Sequence, residues 1–165
     1  MATKTTPRSF ATRIDIPEDD RAQLVELLNA RLADTFDLYG QVKQAHWNVK
    51  GPDFIQLHEL YDMVAATVLP FVDEIAERAT ALGGLALGTV RMVADASTLD
   101  EYPVDATGGK ATLEAVADRL ATYGEAVRMA IDRADDLGDQ DTVDLFTEIS
   151  RSIDKSLWFV EAHLQ

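Results

Sequence analysis

Residues 46–78 read HWNVKGPDFIQLHELYDMVAATVLPFVDEIAER and hold a tight turn between two predicted helices together with five candidate metal ligands. The candidates are two imidazoles and three carboxylates: His46, His58, Asp62, Asp73 and Glu77. Imidazole and carboxylate together suit iron or a similar divalent metal. Gly51 and Pro52 interrupt the helical pattern between the two histidines. One chain is therefore predicted to bring both histidines together on adjacent antiparallel helices.

The last two carboxylates cannot join that site within the same straight helix. At about 100° per residue, Asp62, Asp73 and Glu77 all fall within about 100° of His58 around the helix. Asp73 and Glu77 nevertheless lie about 16 to 28 Å from the other two along the axis, whereas metal–ligand bonds are about 2 Å long. A two-fold dimer removes the conflict if this helix packs antiparallel against its copy. Each site would then combine His58 and Asp62 with the partner subunit's Asp73 and Glu77.

Two simpler interpretations of these residues stay open. The acids could form an ordinary solvated face, although their sector lacks the lysine and arginine expected among exposed pairs. His46 could be a core histidine, since it continues the apolar stripe of the first helix. Pro70 lies near the proposed two-fold axis and is expected to bend the second helix by removing a hydrogen bond to the Ala66 carbonyl.

The apolar periodicity outside this stretch predicts an all-α protein. Spacings of three and four predict long helices at about 18–48, 54–82, 111–137 and 141–162. The connections are short, long and short, and the long one, from 85 to about 110, is predicted to carry a short helix at Thr98 to Tyr102. This order is typical of a ferritin-like four-helix bundle with one crossover between helices two and three.

Composition limits the function classes. The 165 residues are 47% apolar, which fits one domain, predicted at 16–165. The absence of cysteine excludes disulfides, thiolate zinc sites and iron–sulfur clusters. No apolar run of about 18 residues and no export signal follows Met1, so we expect a cytoplasmic protein.

Charge bears on nucleic-acid binding. The net charge of −14 argues against DNA binding by the body of the domain. Residues 1–15 are predicted to be a flexible arm, and Lys4, Arg8 and Arg13 make it basic. Three charges are a weak DNA signal, typical also of an ordinary terminus, unless an oligomer multiplies them.

The assembled motifs resemble those of the Dps family, the DNA-protection-during-starvation proteins or miniferritins. The resemblance is carried by HWNVKGP at 46–52, by Phe54, His58 and Asp62, by DEIAER at 73–78 and by DKSLWF at 154–159. It implies a hollow dodecamer that oxidises Fe(II), preferably with hydrogen peroxide, stores ferric mineral and protects DNA. It also implies ferroxidase sites at the two-fold axes, with His46, His58 and Asp62 from one subunit and Asp73 and Glu77 from the other.

The resemblance also implies roles for Trp47 and for acids near the last helix, and each of these residues has a simpler structural alternative. Trp47 could donate an electron to the site or pack at the interface. Asp139 and Asp144 match acids that line three-fold pores in the family. The alternative is that the acids at this turn cap the last helix, and for Asp141 the pore and the cap are given equal weight. No organic cofactor is expected.

Two other functions compete with the ferroxidase. One is a nucleoid-associated assembly that compacts DNA through the basic arm. The other is an ordinary ferritin or rubrerythrin-like di-iron site, which requires Glu-x-x-His pairs. The sequence contains no such pair.

Overall fold

A computed structural model describes residues 8–165 of the chain, and in them five α-helices account for the regular structure. Their bounds are α1 Glu18–Asn48, α2 Phe54–Ala81, α3 Val90–Ala96, α4 Gly109–Asp136 and α5 Gln140–Glu161. The only bridge between extended residues in this range joins Lys50 and Gly108. The prediction of an all-α bundle of four long helices, with a short helix in the crossover, is confirmed.

Two helical hairpins build the bundle, because α1 packs along α2 and α4 packs along α5. Leucines four residues apart on α1, at Leu24, Leu28 and Leu32, are fully or almost fully buried against the other helices. Removing one such side chain from water stabilises the fold by about 1.5–3 kcal/mol. One face of α2 also packs in this core, whereas its other face remains exposed.

The short helix of the crossover is Val90–Ala96, so the predicted helix at Thr98 to Tyr102 is wrong. Thr89 caps its start by accepting a hydrogen bond from the Met92 amide at 3.4 Å. Thr98 is held instead by its own amide, which donates to the buried Asp34 carboxylate at 2.7 Å. Pro103 further disfavours a helical conformation for Tyr102. Side-chain bonds to α1 therefore replace helical bonds in this stretch.

The segment that precedes α1 contacts the body of the domain from Phe10 onward. The Phe10 amide donates to the Gly83 carbonyl at 2.7 Å, and Ile14 and Ile16 pack against the core. Gly83 has φ of 89°, and a Cβ on it would clash with the Phe10 carbonyl oxygen. Lys4 lies outside the described residues. The flexibility predicted for residues 1–15 stays a prediction.

Pro70 does not end α2, which runs continuously from Phe54 to Ala81. His58 and Asp62 therefore lie on the same continuous helix as Asp73 and Glu77, whereas His46 lies on α1. No helix within residues 8–165 has both the length and the apolar character needed to cross a membrane.

Candidate metal centre

His46 near the end of α1 and His58 near the start of α2 form a stacked pair. Their ring centroids are 3.7 Å apart and their planes differ by 21°. His46 Nδ1 donates to the His58 carbonyl oxygen at 2.8 Å, and His58 Nδ1 donates to the His46 carbonyl oxygen at 2.9 Å. The Gly51 turn, with φ of 122°, lets α2 return so that these residues meet at the same height.

The reciprocal bonds decide which ring nitrogens are free. A carbonyl oxygen only accepts, so each Nδ1 must carry the proton. In the neutral ring the lone pair then lies on Nε2, which faces away from the bonded carbonyl. Backbone bonds of this kind orient metal-binding histidines and fix their tautomer. Both Nε2 atoms of the pair are thus left with a lone pair that can bind a metal.

Asp62 lies one turn after His58 and completes this half of the candidate site. Its Oδ1 is 4.0 Å from His46 Nδ1, and its side chain is 61% exposed. Lys43 on α1 donates to the same Oδ1 at 2.7 Å. The hydrogen bond and then the charge of Lys43 lower the pKa of the Asp62 carboxyl below its ordinary value. The Asp62 carboxylate is therefore ionised at neutral pH, and its Oδ1 accepts a hydrogen bond from Lys43.

Asp73 and Glu77 lie in the second half of α2, and both are exposed. Within residues 8–165, no three histidine, cysteine, aspartate or glutamate side chains converge closely enough to hold a metal ion. The structure thus brings the histidines together and places Asp62 beside them, but it does not bring Asp73 or Glu77 to them. One subunit supplies two partial sites.

The side of α2 that carries both partial sites is otherwise apolar and exposed. Ile55 is 53% exposed and Leu69 is 45% exposed, with Ala66 exposed between them on the same face. We call these three residues the outer face of α2. Large apolar side chains rarely group at a surface unless a partner covers them. No basic side chain interrupts this face, which argues against an ordinary solvated helix surface.

Trp47 follows His46 in α1, and its side chain is 64% exposed. Lys43 Nζ lies 5.9 Å from the centre of the indole ring. Trp47 is therefore not a core residue of the subunit. Both roles considered for it, electron donation and interface packing, remain predictions.

The two candidate pore acids differ in their surroundings. Asp139 is 2% exposed and caps α5, accepting from the Thr142 amide at 3.3 Å and from Arg78 Nη2 at 2.6 Å. Burial tends to raise the pKa of Asp139, but the bonds from Arg78 and Thr142 outweigh it and hold the pKa below its ordinary value. Asp144 is exposed, and Asp141 lies 3.5 Å from Arg78. Asp144 is thus the better presented of the two, and the pore role of both stays a prediction.

Two features near the site were missed by the sequence reasoning. Lys43 is three residues before His46 and four before Trp47, so helical spacing alone could have placed it on their face. Glu74 of α2 is near enough to Glu148 of α5 to feel its charge. No sequence pattern predicts that two acids on different helices come near each other. Partial burial, followed by the charges of Glu148, Asp73 and Glu77, raises the pKa of Glu74 above its ordinary value.

Known proteins resemble this chain over nearly its whole length. The profile of the ferritin-like domain family matches residues 25–165. The DNA protection during starvation protein of Agrobacterium fabrum is 42% identical over 158 residues, covering 96% of this chain and 98% of that protein.

Two solved structures show the same fold. DpsC from Streptomyces coelicolor superposes with a TM-score of 0.91 at 30% identity, covering 100% of this chain and 96% of that one. Mycobacterium smegmatis Dps, in its tetragonal form, gives 0.90 at 32% identity, covering 94% and 95%. The predicted ferritin-like fold is confirmed by these matches.

Proposed function

Because the chain belongs to the Dps family of ferritin-like proteins, we propose that it is a ferroxidase and an iron store. It oxidises Fe(II), preferably with hydrogen peroxide, and keeps the ferric product as mineral inside a hollow dodecamer. Iron is here the substrate and the cargo. The protein needs no organic cofactor for this chemistry.

The observation that carries the proposal is the reciprocal bonding of His46 and His58. Each Nδ1–H donates to the backbone carbonyl of the other residue, at 2.8 and 2.9 Å. These bonds leave both Nε2 atoms free to bind a metal, and the Asp62 carboxylate lies nearby, 4.0 Å from His46 Nδ1. Imidazole nitrogen with carboxylate oxygen is a ligand set that binds ferrous iron while leaving positions open for an oxidant.

The second half of the site comes from the partner in this proposal. The outer face of α2 is apolar, and two of its residues, Ala66 and Leu69, lie between the histidine end and the acids Asp73 and Glu77. An antiparallel α2 pair buries this apolar face and brings each histidine end next to the partner's acids. Two-fold symmetry then produces two equal sites for every dimer.

The division of ligands suits the reaction. Hydrogen peroxide accepts one electron from each of two ferrous ions and, with two protons, becomes two water molecules. Hydrolysis of the ferric ions to oxyhydroxide releases more protons than this reduction consumes. The carboxylates favour the harder ferric product, and a site open to solvent lets it leave for the cavity. Paired use of electrons avoids the hydroxyl radical that a single electron transfer to peroxide produces.

Protection of DNA follows from removal of iron and peroxide together. The relative from Agrobacterium fabrum carries DNA protection in its name. Direct DNA binding by the arm is the alternative function, and it depends on Lys4, Arg8 and Arg13. A gel-shift series separates the two, because binding through the arm weakens steeply with salt and is lost on deletion of residues 1–13.

The proposed ferroxidase is tested by gel filtration followed by anaerobic addition of Fe(II) and then of peroxide. The expected results are an assembly much larger than 18.1 kDa and a fast rise in ferric absorbance. The double variant H46A/H58A should lose the fast rise, whereas H163A serves as the matched control because His163 lies exposed near the terminus. A monomer that does not accelerate the oxidation contradicts the proposal.

A further inference from the structure

A cavity of about 160 Å³ lies where the segment before α1 meets the start of α1 and the end of α2, at the opposite end of both helices from the histidine pair. Its apolar lining comes from all three parts of the chain, with Phe10, Val25, Leu82 and Leu85 as the larger side chains. Leu82 is buried, whereas Phe10 is 47% exposed and Leu85 is 37% exposed. A ligand that fills the cavity therefore removes apolar surface from water, which favours binding.

Two arginine side chains, Arg8 and Arg21, also line the cavity. Arg8 Cζ lies 5.0 Å from the centre of the Phe10 ring. Arg21 Nη1 donates to the Ile16 carbonyl oxygen, which uses one of the five N–H donors of the guanidinium. In the part of the chain that the structure describes, neither arginine makes an ion pair, and residues 1–7 contain no acid. Two positive charges with unused donors therefore border the cavity.

The acids that line the same cavity are better solvated than the arginines. Glu18 and Glu26 are both exposed, whereas Arg21 is half-buried. Glu18 also lies in the first turn of α1, where the positive end of the helix dipole offsets its charge. A guanidinium that is partly removed from water gains more from a bound anion than an exposed carboxylate gains from a bound cation. The cavity thus favours an anionic ligand.

We propose that this cavity is a binding site for a small carboxylate that carries one aromatic or branched aliphatic group. The apolar group packs against Phe10, Val25 and Leu82, and the carboxylate accepts hydrogen bonds from Arg8 and Arg21. The volume of about 160 Å³ is close to that of a protein cavity of about 150 Å³ that holds benzene, and well below the roughly 300–1,000 Å³ of sites for larger ligands. Nucleotides are therefore too large for it.

A ligand in this cavity attaches the segment before α1 more firmly to the helices. The Phe10 amide already donates to the Gly83 carbonyl at 2.7 Å. The carboxylate adds a second attachment, because it bridges Arg8 of the segment and Arg21 of α1. Saturation with ligand should therefore slow tryptic cleavage after Arg8 and Arg13, since this stretch must leave the surface to enter a protease.

Equilibrium dialysis of the full-length protein with radiolabelled benzoate tests the site. Benzyl alcohol and benzylamine carry the same ring with a neutral or a positive group, so they separate the apolar contribution from the ionic one. We expect one benzoate per chain at saturation, weaker binding of benzyl alcohol and the weakest binding of benzylamine. Benzylamine that binds as tightly as benzoate overturns the assignment to a carboxylate.

The variant R8M/R21M should weaken benzoate binding about five-fold and leave benzyl alcohol binding unchanged, because only the ionic contact is lost. R13M is the matched control, since Arg13 belongs to the same segment but does not line the cavity. The double variant also covers the case in which a variant that fills the cavity fails to fold. Equal benzoate binding by R8M/R21M and R13M contradicts the role of the guanidiniums.

The location of the site is tested by filling it. Ala22 is exposed and lines the cavity, so A22L takes up the space without entering the core. We expect A22L to lose benzoate binding and A81L to retain it, because Ala81 is also exposed but does not line the cavity. Deletion of residues 1–7 should leave binding unchanged. Absence of benzoate binding by wild type, binding that survives A22L, or a gain on deletion of residues 1–7 overturns the proposal.

Discussion

At the scale of single residues, the candidate site depends on backbone bonds that fix two side chains. His46 and His58 each donate Nδ1–H to the backbone carbonyl of the other, which leaves Nε2 as the free nitrogen. The motif showed that the histidines could meet, because the turn at Gly51 is short. It could not show the stacking or the tautomer, because these depend on how α1 and α2 pack.

Asp139 shows how a capping residue can be tested apart from a pore. D139A removes the N-cap of α5 and leaves the part-buried Arg78 without its closest partner. We expect a loss of about 2–4 kcal/mol in the free energy of unfolding, from the cap and the broken pair together. Urea unfolding measures it, with D144A as the exposed control. An unchanged midpoint for D139A contradicts the structural role.

The contribution of Asp139 to the free energy of unfolding depends on pH, and it decreases in acid. The pKa of Asp139 is lowered in the folded protein, so its contribution is present above the unfolded pKa of about 3.9 and is lost as pH falls through the folded value. The stability difference between wild type and D139A should therefore be constant near neutral pH and shrink below about pH 4. A difference that grows on acidification contradicts this account.

At the scale of helices, the outer face of α2 is the surface that the proposal assigns to the dimer. L69E places a charge on this face near the proposed two-fold axis, and we expect smaller assemblies and loss of tight metal binding because the partner's acids are lost. L69M keeps the apolar surface and serves as the control. Analytical ultracentrifugation and Co(II) titration provide the measurements. A monomeric L69E that still binds metal like wild type refutes the shared site.

The segment before α1 depends on Gly83. G83A introduces a Cβ where φ is 89° and where the Phe10 carbonyl lies, so we expect detachment of this segment and a loss of about 1–3 kcal/mol. G40A is the control, since nothing lies within 4 Å of a Cβ there. Limited proteolysis near Arg8 and Arg13, with thermal unfolding, tests the prediction. Equal cleavage of both variants would argue against anchoring by Gly83.

The long helices were predictable from the sequence because each carries an apolar stripe at spacings of three and four, and a glycine soon follows the first three of them. The short crossover helix was not, since Thr98 is held by the buried Asp34 of α1 and that bond has no local signal. Lys43 was missed for a related reason. Its spacing places it on the histidine face, but only the packing of α2 brings Asp62 to within 2.7 Å.

At the scale of the whole molecule, the exposed acids at the start of α5 have a role only in an assembly. If the N-termini of three α5 helices meet at a pore, D144N lowers the negative potential and slows iron entry. We expect a slower oxidation phase under limiting Fe(II), with unchanged thermal stability because Asp144 is exposed. K110M is a charge-changing control remote from α5. Identical uptake curves for D144N and wild type count against the pore.

The central claim is that two chains build each site, and subunit complementation tests it most directly. The variants H46A/H58A and D73A/E77A are each expected to lack fast peroxide-dependent iron oxidation. Co-assembled in equal amounts, they should regain about a quarter of the wild-type activity, since half of the dimers are mixed and each mixed dimer has one intact site of two. No recovery in verified mixed assemblies would contradict a site shared across the two-fold axis.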